Sequence, residues 1–242
     1  WVGNSGADTG FLHFSSGNGR YQDYAVSTAA GSIEAGRWYH VAAVMSRQTG
    51  LMEIYLNGEM AGSASLTKVK PNYAASSTTP LLFGQTLETH ADYSPFCGAI
   101  DEVRLWNAIQ TPSQIRSSMA VPLTGSEPGL VGLWRFNEAS GSVVEDSTAY
   151  GNDGRLGGIS PRLDGQSLML DGAGDYLVTP NLRAAFVTDD VTLEVWFNAK
   201  TPGVIVEELG QSAHDAGWND SQIEILPSGE VRARVWGFSS IS

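Results

Sequence analysis

The polar side chains between residues 135 and 154 are of the types that bind calcium. The stretch RFNEASGSVVEDSTAYGNDG contains Asn137, Glu138, Asp146, Asn152 and Asp153. Calcium takes six to eight oxygen ligands from carboxylates, amides and backbone carbonyls, and glycine lets carbonyls turn inward. The composition therefore predicts a structural calcium site. The alternative is that Asp, Asn and Gly only form turns here, which is their commonest use.

Two adjacent carboxylates, Asp101 and Glu102, interrupt the apolar stretch AIDEVRLW. Strand alternation places them on opposite faces, so one must point towards the core or a neighbouring loop. An inward carboxylate needs a cation or several donors, and we therefore add Asp101 to the predicted calcium ligands. The alternative is an ion pair of either residue with Arg104 or Arg135. A second candidate calcium loop is DGAGDYL, with Asp171 and Asp175.

Catalytic arrangements are poorly represented in the sequence. Retaining glycosidases place two carboxylates about 5–5.5 Å apart, which a strand achieves with acids at alternate positions. The predicted strands contain no Glu-x-Glu or Glu-x-Asp, and the adjacent pairs Asp101-Glu102 and Glu207-Glu208 should split across a sheet. Cys97 is predicted to be a small core residue and His40 to pack within a strand. The sequence therefore predicts that the protein is not an enzyme.

Aromatic side chains offer a binding role instead. Sugar rings stack on exposed aromatic rings, and loops rich in Asn, Asp and Gly donate and accept directional hydrogen bonds. The predicted ligand-binding residues are Trp218, Tyr93 and Trp236, with Trp218 in the loop DAGWNDS. The tryptophans in the most apolar stretches are predicted to lie in the core, and they are Trp38, Trp106, Trp134 and Trp196.

Composition limits the classes of partner. The 242 residues carry a net charge of −12, with 42% hydrophobic residues and one cysteine. A chain this acidic is a poor partner for nucleic acids and anionic membranes, and no apolar run reaches the length of a membrane span. The single cysteine excludes an internal disulfide.

Short apolar runs with period-2 alternation, separated by turn residues, predict many strands. They are Phe11–Phe14, Tyr21–Ser27, Tyr39–Met45, Met52–Leu56, Leu81–Gly84, Ala99–Trp106, Leu130–Phe136, Ser167–Leu170, Tyr176–Val178, Thr192–Phe197, Val204–Glu207, Gln222–Leu226 and Val231–Trp236. Asn57-Gly58 predicts a type I′ hairpin turn. Thr111-Pro112-Ser113-Gln114 predicts one helix start, with a Thr cap and a capping-box Gln. Together these signals predict an all-β antiparallel sandwich with one short helix.

Several motifs together resemble one family. GRWYHVAAV, LMEIYLNG, FCGAIDEVRLWNAIQTPSQIRSSM, LVGLWRFNEASGS, LMLDGAGDYLVTP and VTLEVWFNA are similar to laminin G-like domains, which are jelly-roll sandwiches of the concanavalin A-like type. The resemblance implies that fold, and it implies that a structural calcium often lies near a sandwich edge. It transfers no particular ligand.

The order of these motifs is inverted relative to the family, in which the last two usually come first. FLHFSSGNGRYQDYAVS from Phe11 also resembles IEILPSGEVRARVWGFS from Ile223, as expected of tandem repeats. We therefore interpret residues 1–127 as the late half of one repeat and residues 128–242 as the early half of the next. Half a sandwich would expose an apolar sheet face, so the halves should close on each other within a monomer or exchange between chains as a swapped dimer.

Two functions remain open at the level of sequence. The first is a non-catalytic glycan-binding or adhesion module of a secreted or cell-surface multidomain protein, which calcium could stabilise. The second is a structural repeat that contacts other extracellular proteins or acts as a spacer, with no sugar site.

Overall fold

A computed structural model describes residues 26–46, 48–65, 80–85, 94–182, 190–209 and 219–233. The strands of the first part of the chain are β1 (Val26–Ser27), β2 (Trp38–Ser46), β3 (Leu51–Leu56), β4 (Glu59–Ser65), β5 (Leu81–Phe83) and β6 (Cys97–Trp106). Helix α1 (Pro112–Ser118) follows. The later strands are β7 (Leu130–Trp134), β8 (Val143–Val144), β9 (Gly154–Gly157), β10 (Arg162–Leu163), β11 (Leu168–Asp171), β12 (Tyr176–Val178), β13 (Asp190–Thr201), β14 (Gly203–Leu209), β15 (Asn219–Ile225) and β16 (Val231–Ala233).

These strands form two antiparallel sheets. One sheet has the order β1-β16-β15-β14-β5-β12-β9-β8, and the other has the order β10-β11-β6-β13-β2-β3-β4, with β7 also paired to β6. We call the second the helix-side sheet, because Ile115 of α1 packs on its outer face against Ala42, Val44 and Tyr55. The predicted all-β antiparallel sandwich of the concanavalin A-like type is confirmed, and α1 is the one helix of the described residues.

Strands from both parts of the chain alternate in both sheets. In the helix-side sheet β13 lies between β6 and β2, and in the other sheet β5 lies between β14 and β12. Removing the first part would leave β13 without these neighbours, and removing the second would leave β5 without its neighbours. Either removal would expose apolar surface between the sheets. The origin of the two parts, 1–127 and 128–242, in successive repeats stays a prediction.

The core lies between the sheets, and strand alternation fills it. On β13 the residues Val191, Leu193, Val195, Phe197 and Ala199 all belong to the central apolar cluster, as period 2 requires. The intervening side chains of β13 therefore lie on the outer face of the helix-side sheet, beneath or beside α1.

Two local predictions from the sequence are confirmed in detail. Asn57 and Gly58 have φ angles of 51° and 79°, the two positive values that a type I′ turn requires, and they connect β3 to β4. Thr111 caps α1 through its hydroxyl, and Gln114 completes the capping box.

Candidate functional site: a cleft beside Trp38

Two adjoining cavities open on the outer face of the helix-side sheet. The smaller, of about 260 Å³, is lined by residues that include Glu102, Arg104 and Trp196. The larger, of about 510 Å³, is lined by residues that include Asp164, Asn198 and Lys200. Trp38 and Asp101 line both, so we call the two cavities together the Trp38 cleft. The larger volume lies within the range of small-ligand sites.

Trp38 begins β2 and is 45% exposed. The prediction that it lies in the core is wrong, because Trp38 has the outward parity of β2, whereas its neighbour Tyr39 faces the core. Its partner across the β2–β13 ladder is Asn198, whose side-chain amide donates to the Gly36 carbonyl at 3.2 Å. The indole therefore stands beside a fixed polar side chain at the mouth of both cavities.

Of the other three predicted core tryptophans, two are buried and one lies on the outer face of the sheet. Trp134 is fully buried and Trp106 is 4% exposed, as predicted. Trp196 is half-buried on the outer face, opposite His40 on one side and Asp101 on the other. Its indole nitrogen donates to the Met119 carbonyl at 2.8 Å. The prediction for Trp196 fails for the same reason as for Trp38, since both have outward parity.

A β-bulge brings Asp101 and Glu102 to the same cleft. Ile100 and Val103 both belong to the central core cluster, so the two residues between them lie outside it. The register between β6 and β13 shifts here, and Glu102 has a positive φ of 48°. The predicted split of this pair across the sheet is therefore wrong, because alternation fails at a bulge.

Asp101 has an unusual environment for a surface carboxylate. Its Oδ1 accepts a hydrogen bond from the Glu102 backbone N–H at 2.8 Å. Burial, with a smaller contribution from the negative charge of Glu102, raises the pKa of Asp101 to about 7. Asp164 also raises this pKa, whereas Arg104 lowers it. The carboxyl group therefore changes charge near neutral pH at the junction of the two cavities.

Arg104 organises the wall of the smaller cavity. It is 1% exposed, and it pairs with Glu102 (Nη2–Oε2, 3.0 Å) and more distantly with Glu194 (3.8 Å). It also donates to the carbonyls of Ser118 and Val121, at 2.9 and 3.1 Å. The predicted ion pair of Glu102 with Arg104 is confirmed. Together with the Trp196 indole, Arg104 fixes the segment after α1 that encloses the cavity.

A buried histidine extends this polar cluster. His40 Nε2 lies 3.1 Å from Glu194 Oε2, with both side chains fully buried. The His40 ring contacts Trp196, with ring centroids 5.3 Å apart. His40 packs within a strand, as predicted, but its partner Glu194 lies in the distant β13 and could not be found from local spacing.

Two of the predicted calcium ligands in the 137–153 loop, Asn152 and Asp153, form hydrogen bonds with a third, Asp146. Asp146 is 3% exposed and accepts hydrogen bonds from three backbone N–H groups, those of Leu133, Thr148 and Asn152, at 2.9–3.0 Å. The side chains of Thr148 and Asn152 donate to it as well, at 2.9 and 3.2 Å. Asp153 in turn accepts from the Asp146 N–H at 3.0 Å. Both oxygens of Asp146 are thus surrounded by donor hydrogens.

This arrangement does not fit a calcium ion on Asp146, because the N–H and O–H groups present their positive ends to the place that a cation would take.

The remaining predicted ligands lie apart from Asp146. Asn137 is exposed, and Glu138 Oε1 accepts from the Glu145 N–H at 2.9 Å. Glu138 Oε2 is buried and accepts no hydrogen bond, the one feature of the loop that favours a cation. No group of three or more metal-binding side chains occurs among the described residues, and Asp101 lies in the Trp38 cleft instead. The calcium site stays a prediction.

The two acids of the second candidate loop also accept hydrogen bonds from backbone N–H groups. Asp175 is 2% exposed and accepts from the N–H groups of Ile159 and Ser160, at 3.1 and 2.8 Å. Asp171 accepts from the Ala173 N–H at 2.7 Å, and this bond lowers its pKa. The Ser160 hydroxyl bridges the two carboxylates. Asp171 thus closes a local backbone turn, whereas Asp175 connects its loop to the segment at Ile159 and Ser160.

Other sequence predictions have mixed outcomes. Trp218, Tyr93 and Trp236, the predicted ligand-binding residues, lie outside the described residues. Cys97 is only half-buried, because it begins β6 at the sheet end, so its assignment to the core is wrong. The cleft itself was missed, although the unexpected pair of acids in AIDEVRLW was a usable signal.

Parts of this chain are similar to known proteins. A laminin G model, described as the concanavalin A-like lectin/glucanases superfamily, matches residues 1–116. The match agrees with the resemblance that the motifs indicated, and it covers just under half of the chain. The chain is also 28% identical over 93 residues to a Rattus norvegicus protein, "Sushi, von Willebrand factor type A, EGF and pentraxin domain-containing protein 1". The match covers 36% of this chain but 2% of that protein.

Laminin G-like domains are typical of extracellular adhesion and binding proteins, and they are generally non-catalytic modules that bind glycans or other extracellular proteins. Within the described part of the chain, no helix is long and apolar enough to cross a bilayer.

Proposed function

We propose that the protein is a non-catalytic module of a secreted or cell-surface protein and that it recognises a glycan in the Trp38 cleft. The observation that carries this proposal is the half-exposed Trp38 indole at the junction of two cavities whose linings both include charged side chains. A sugar ring has an apolar face that can stack on an indole and a rim of hydroxyls that need hydrogen-bond partners. Asp101, Asn198 and Gln166 supply such partners around the larger cavity.

The fixed wall of the cleft supports binding in a further way. Arg104 and Trp196 hold the carbonyls of Ser118, Met119 and Val121 in place. A site that is ordered before the ligand arrives loses less conformational entropy on binding. We infer that this part of the cleft is formed in the free protein.

The experiment is a glycan array followed by titration of the best ligand, with calcium and with chelator. Trp38→Ala should weaken binding about five- to tenfold, since one aromatic stacking contact contributes about 1 kcal/mol. Met60→Ala is the matched control, because Met60 is 54% exposed on β4, which is not part of the cleft. Equal binding by wild type and Trp38→Ala would place the ligand elsewhere. A flat array would instead support a structural repeat that contacts proteins.

A further inference from the structure

The charges around the Trp38 cleft are predominantly negative. Asp101 and Asp164 line the larger cavity, and Glu102 lines the smaller one beside Asp101. Arg104 is the cation nearest to Glu102 and is already paired with it at 3.0 Å. Lys200 lines the larger cavity but forms no ion pair with another described residue. The two aspartates are therefore not neutralised by a paired cation of the described residues.

Asp101 retains a free acceptor position. Its Oδ1 accepts the Glu102 N–H, and no described residue donates to its second oxygen. Asp164 differs, because its Oδ1 accepts from the N–H groups of Gln166 and Ser167 at 2.9 and 2.8 Å. Asp164 thus builds a turn and contributes charge, whereas Asp101 can bond directly to a ligand.

The neighbours of Asp101 also bear on the sign of the ligand charge. Burial is the largest cause of the raised pKa of Asp101, the charges on Glu102 and Asp164 raise it further, and Arg104 lowers it. Glu102 and Asp164 therefore repel a further negative charge at this position. A ligand carboxylate or sulfate would meet the same repulsion. A ligand cation would relieve it, and a cation placed over the Trp38 indole would also be attracted by the ring electrons.

We propose that the Trp38 cleft selects glycans that carry a protonated amine, such as non-acetylated amino sugars, with the ammonium group bound by Asp101 and the sugar ring stacked on Trp38. This inference rests on the proposed glycan-binding function and specifies its ligand class. In the complex, Asp101 binds in its ionised form, Asp164 adds long-range attraction, and Lys200 opposes the ligand.

The test compares two ligands that share a ring and a length. A glucosamine tetramer and its fully N-acetylated counterpart are titrated calorimetrically at pH 6.0, where the sugar amine is largely protonated. The glucosamine tetramer should bind at least tenfold more tightly. Because binding ionises Asp101, it should also release protons, which titration in two buffers of different ionisation enthalpy detects. The acetylated tetramer should release none.

Variants separate the roles of the charged residues. Asp101→Asn should remove both the tenfold preference and the proton release, whereas Lys200→Gln should increase the preference. Glu59→Gln is the control for general loss of negative charge, because Glu59 is exposed on β4 and is not part of the cleft. It should leave the preference unchanged. An Asp101→Asn variant that keeps the preference would overturn the assignment.

The remaining outcomes distinguish this inference from the function on which it rests. Equal or tighter binding of the acetylated tetramer would overturn the amine selectivity and leave the glycan-binding proposal standing. Binding of neither tetramer would overturn the amine selectivity, and the glycan array would then decide the function. Tight binding of a trilysine peptide without binding of the glucosamine tetramer would overturn the inference in favour of a basic protein partner.

Discussion

Asp146 should be among the most sensitive polar positions for stability, and Asp146→Ala tests this. The substitution removes the acceptor of three buried backbone N–H groups, those of Leu133, Thr148 and Asn152. A buried donor left without a partner costs about 1–3 kcal/mol. Because the loop can relax and admit water, we expect a total loss of about 3–5 kcal/mol, a large part of the stability of an ordinary domain.

The same carboxylate connects the loop to the core. Leu133 belongs to β7, and the neighbouring Trp134 donates its indole N–H to the Asn152 carbonyl at 3.0 Å. Loss of the Asp146 acceptor should therefore loosen the position of Trp134, which is fully buried between the sheets. Near-ultraviolet circular dichroism, which reports tryptophan packing, should change together with stability.

Urea unfolding at pH 7 measures the effect. Asp146→Asn should lose about half as much as Asp146→Ala, since the amide keeps one acceptor but turns two N–H groups towards the remaining donors. Glu145→Ala is the control, because this neighbouring side chain is exposed and should change stability by about 0.5 kcal/mol at most. A loss below about 1 kcal/mol for Asp146→Ala would refute the account of the loop as a hydrogen-bonded node.

Four further measurements follow from the structure. The folded-state pKa of Asp101, about 7, exceeds the unfolded value of about 4, so wild-type stability falls as the pH rises from about 4 to 7. Asp101→Asn should therefore stabilise the protein at pH 8 by about 1–2 kcal/mol after solvent screening. The difference in urea stability between variant and wild type should vanish near pH 4. Gly58→Ala should lower stability by about 1–2 kcal/mol in the same assay, since φ is +79° and a Cβ would lie 2.8 Å from Arg116 Cγ. Arg104→Ala should cost about 3–5 kcal/mol, because Glu194 stays buried without this cation. The same variant should be cleaved more readily by protease after α1, because the carbonyls of Ser118 and Val121 lose their donor. Excess chelator should leave the melting temperature unchanged if Asp146 holds the loop by hydrogen bonds alone, whereas a melting temperature that rises with calcium would support the calcium prediction.

Short-range signals in the sequence were sufficient for the turns and the helix. Asn57-Gly58 requires a particular backbone geometry, and Thr111 and Gln114 cap α1 through contacts three residues apart. Such features depend on neighbours in the chain and hardly on the rest of the fold. The sequence does not predict β4, because five of the seven residues in EMAGSAS are small and apolar alternation is lacking.

The cleft could not be predicted in the same way. Strand alternation gives the parity of a residue, but it does not show which face is the core, and the core prediction for Trp38 fails for that reason. A single positive φ at Glu102 reverses the alternation and brings two carboxylates to one face. The partner of His40 is Glu194, which is 154 residues away in the chain. These features depend on how β6, β13 and β2 are aligned, which no local pattern encodes.

The Trp38 cleft is also a property of the whole sandwich. Trp38, Asp101 and Arg104 come from the first part of the chain, whereas Asp164, Trp196 and Lys200 come from the second. Trp196 and Lys200 reach the cleft because β13 is inserted between β6 and β2, and Asp164 reaches it because β10 and β11 lie on the other side of β6. The family match ends at residue 116, so it covers one side of the cleft and not the other. Because ligand preference depends on residues from both sides, similarity to the superfamily over residues 1–116 does not determine what this protein binds.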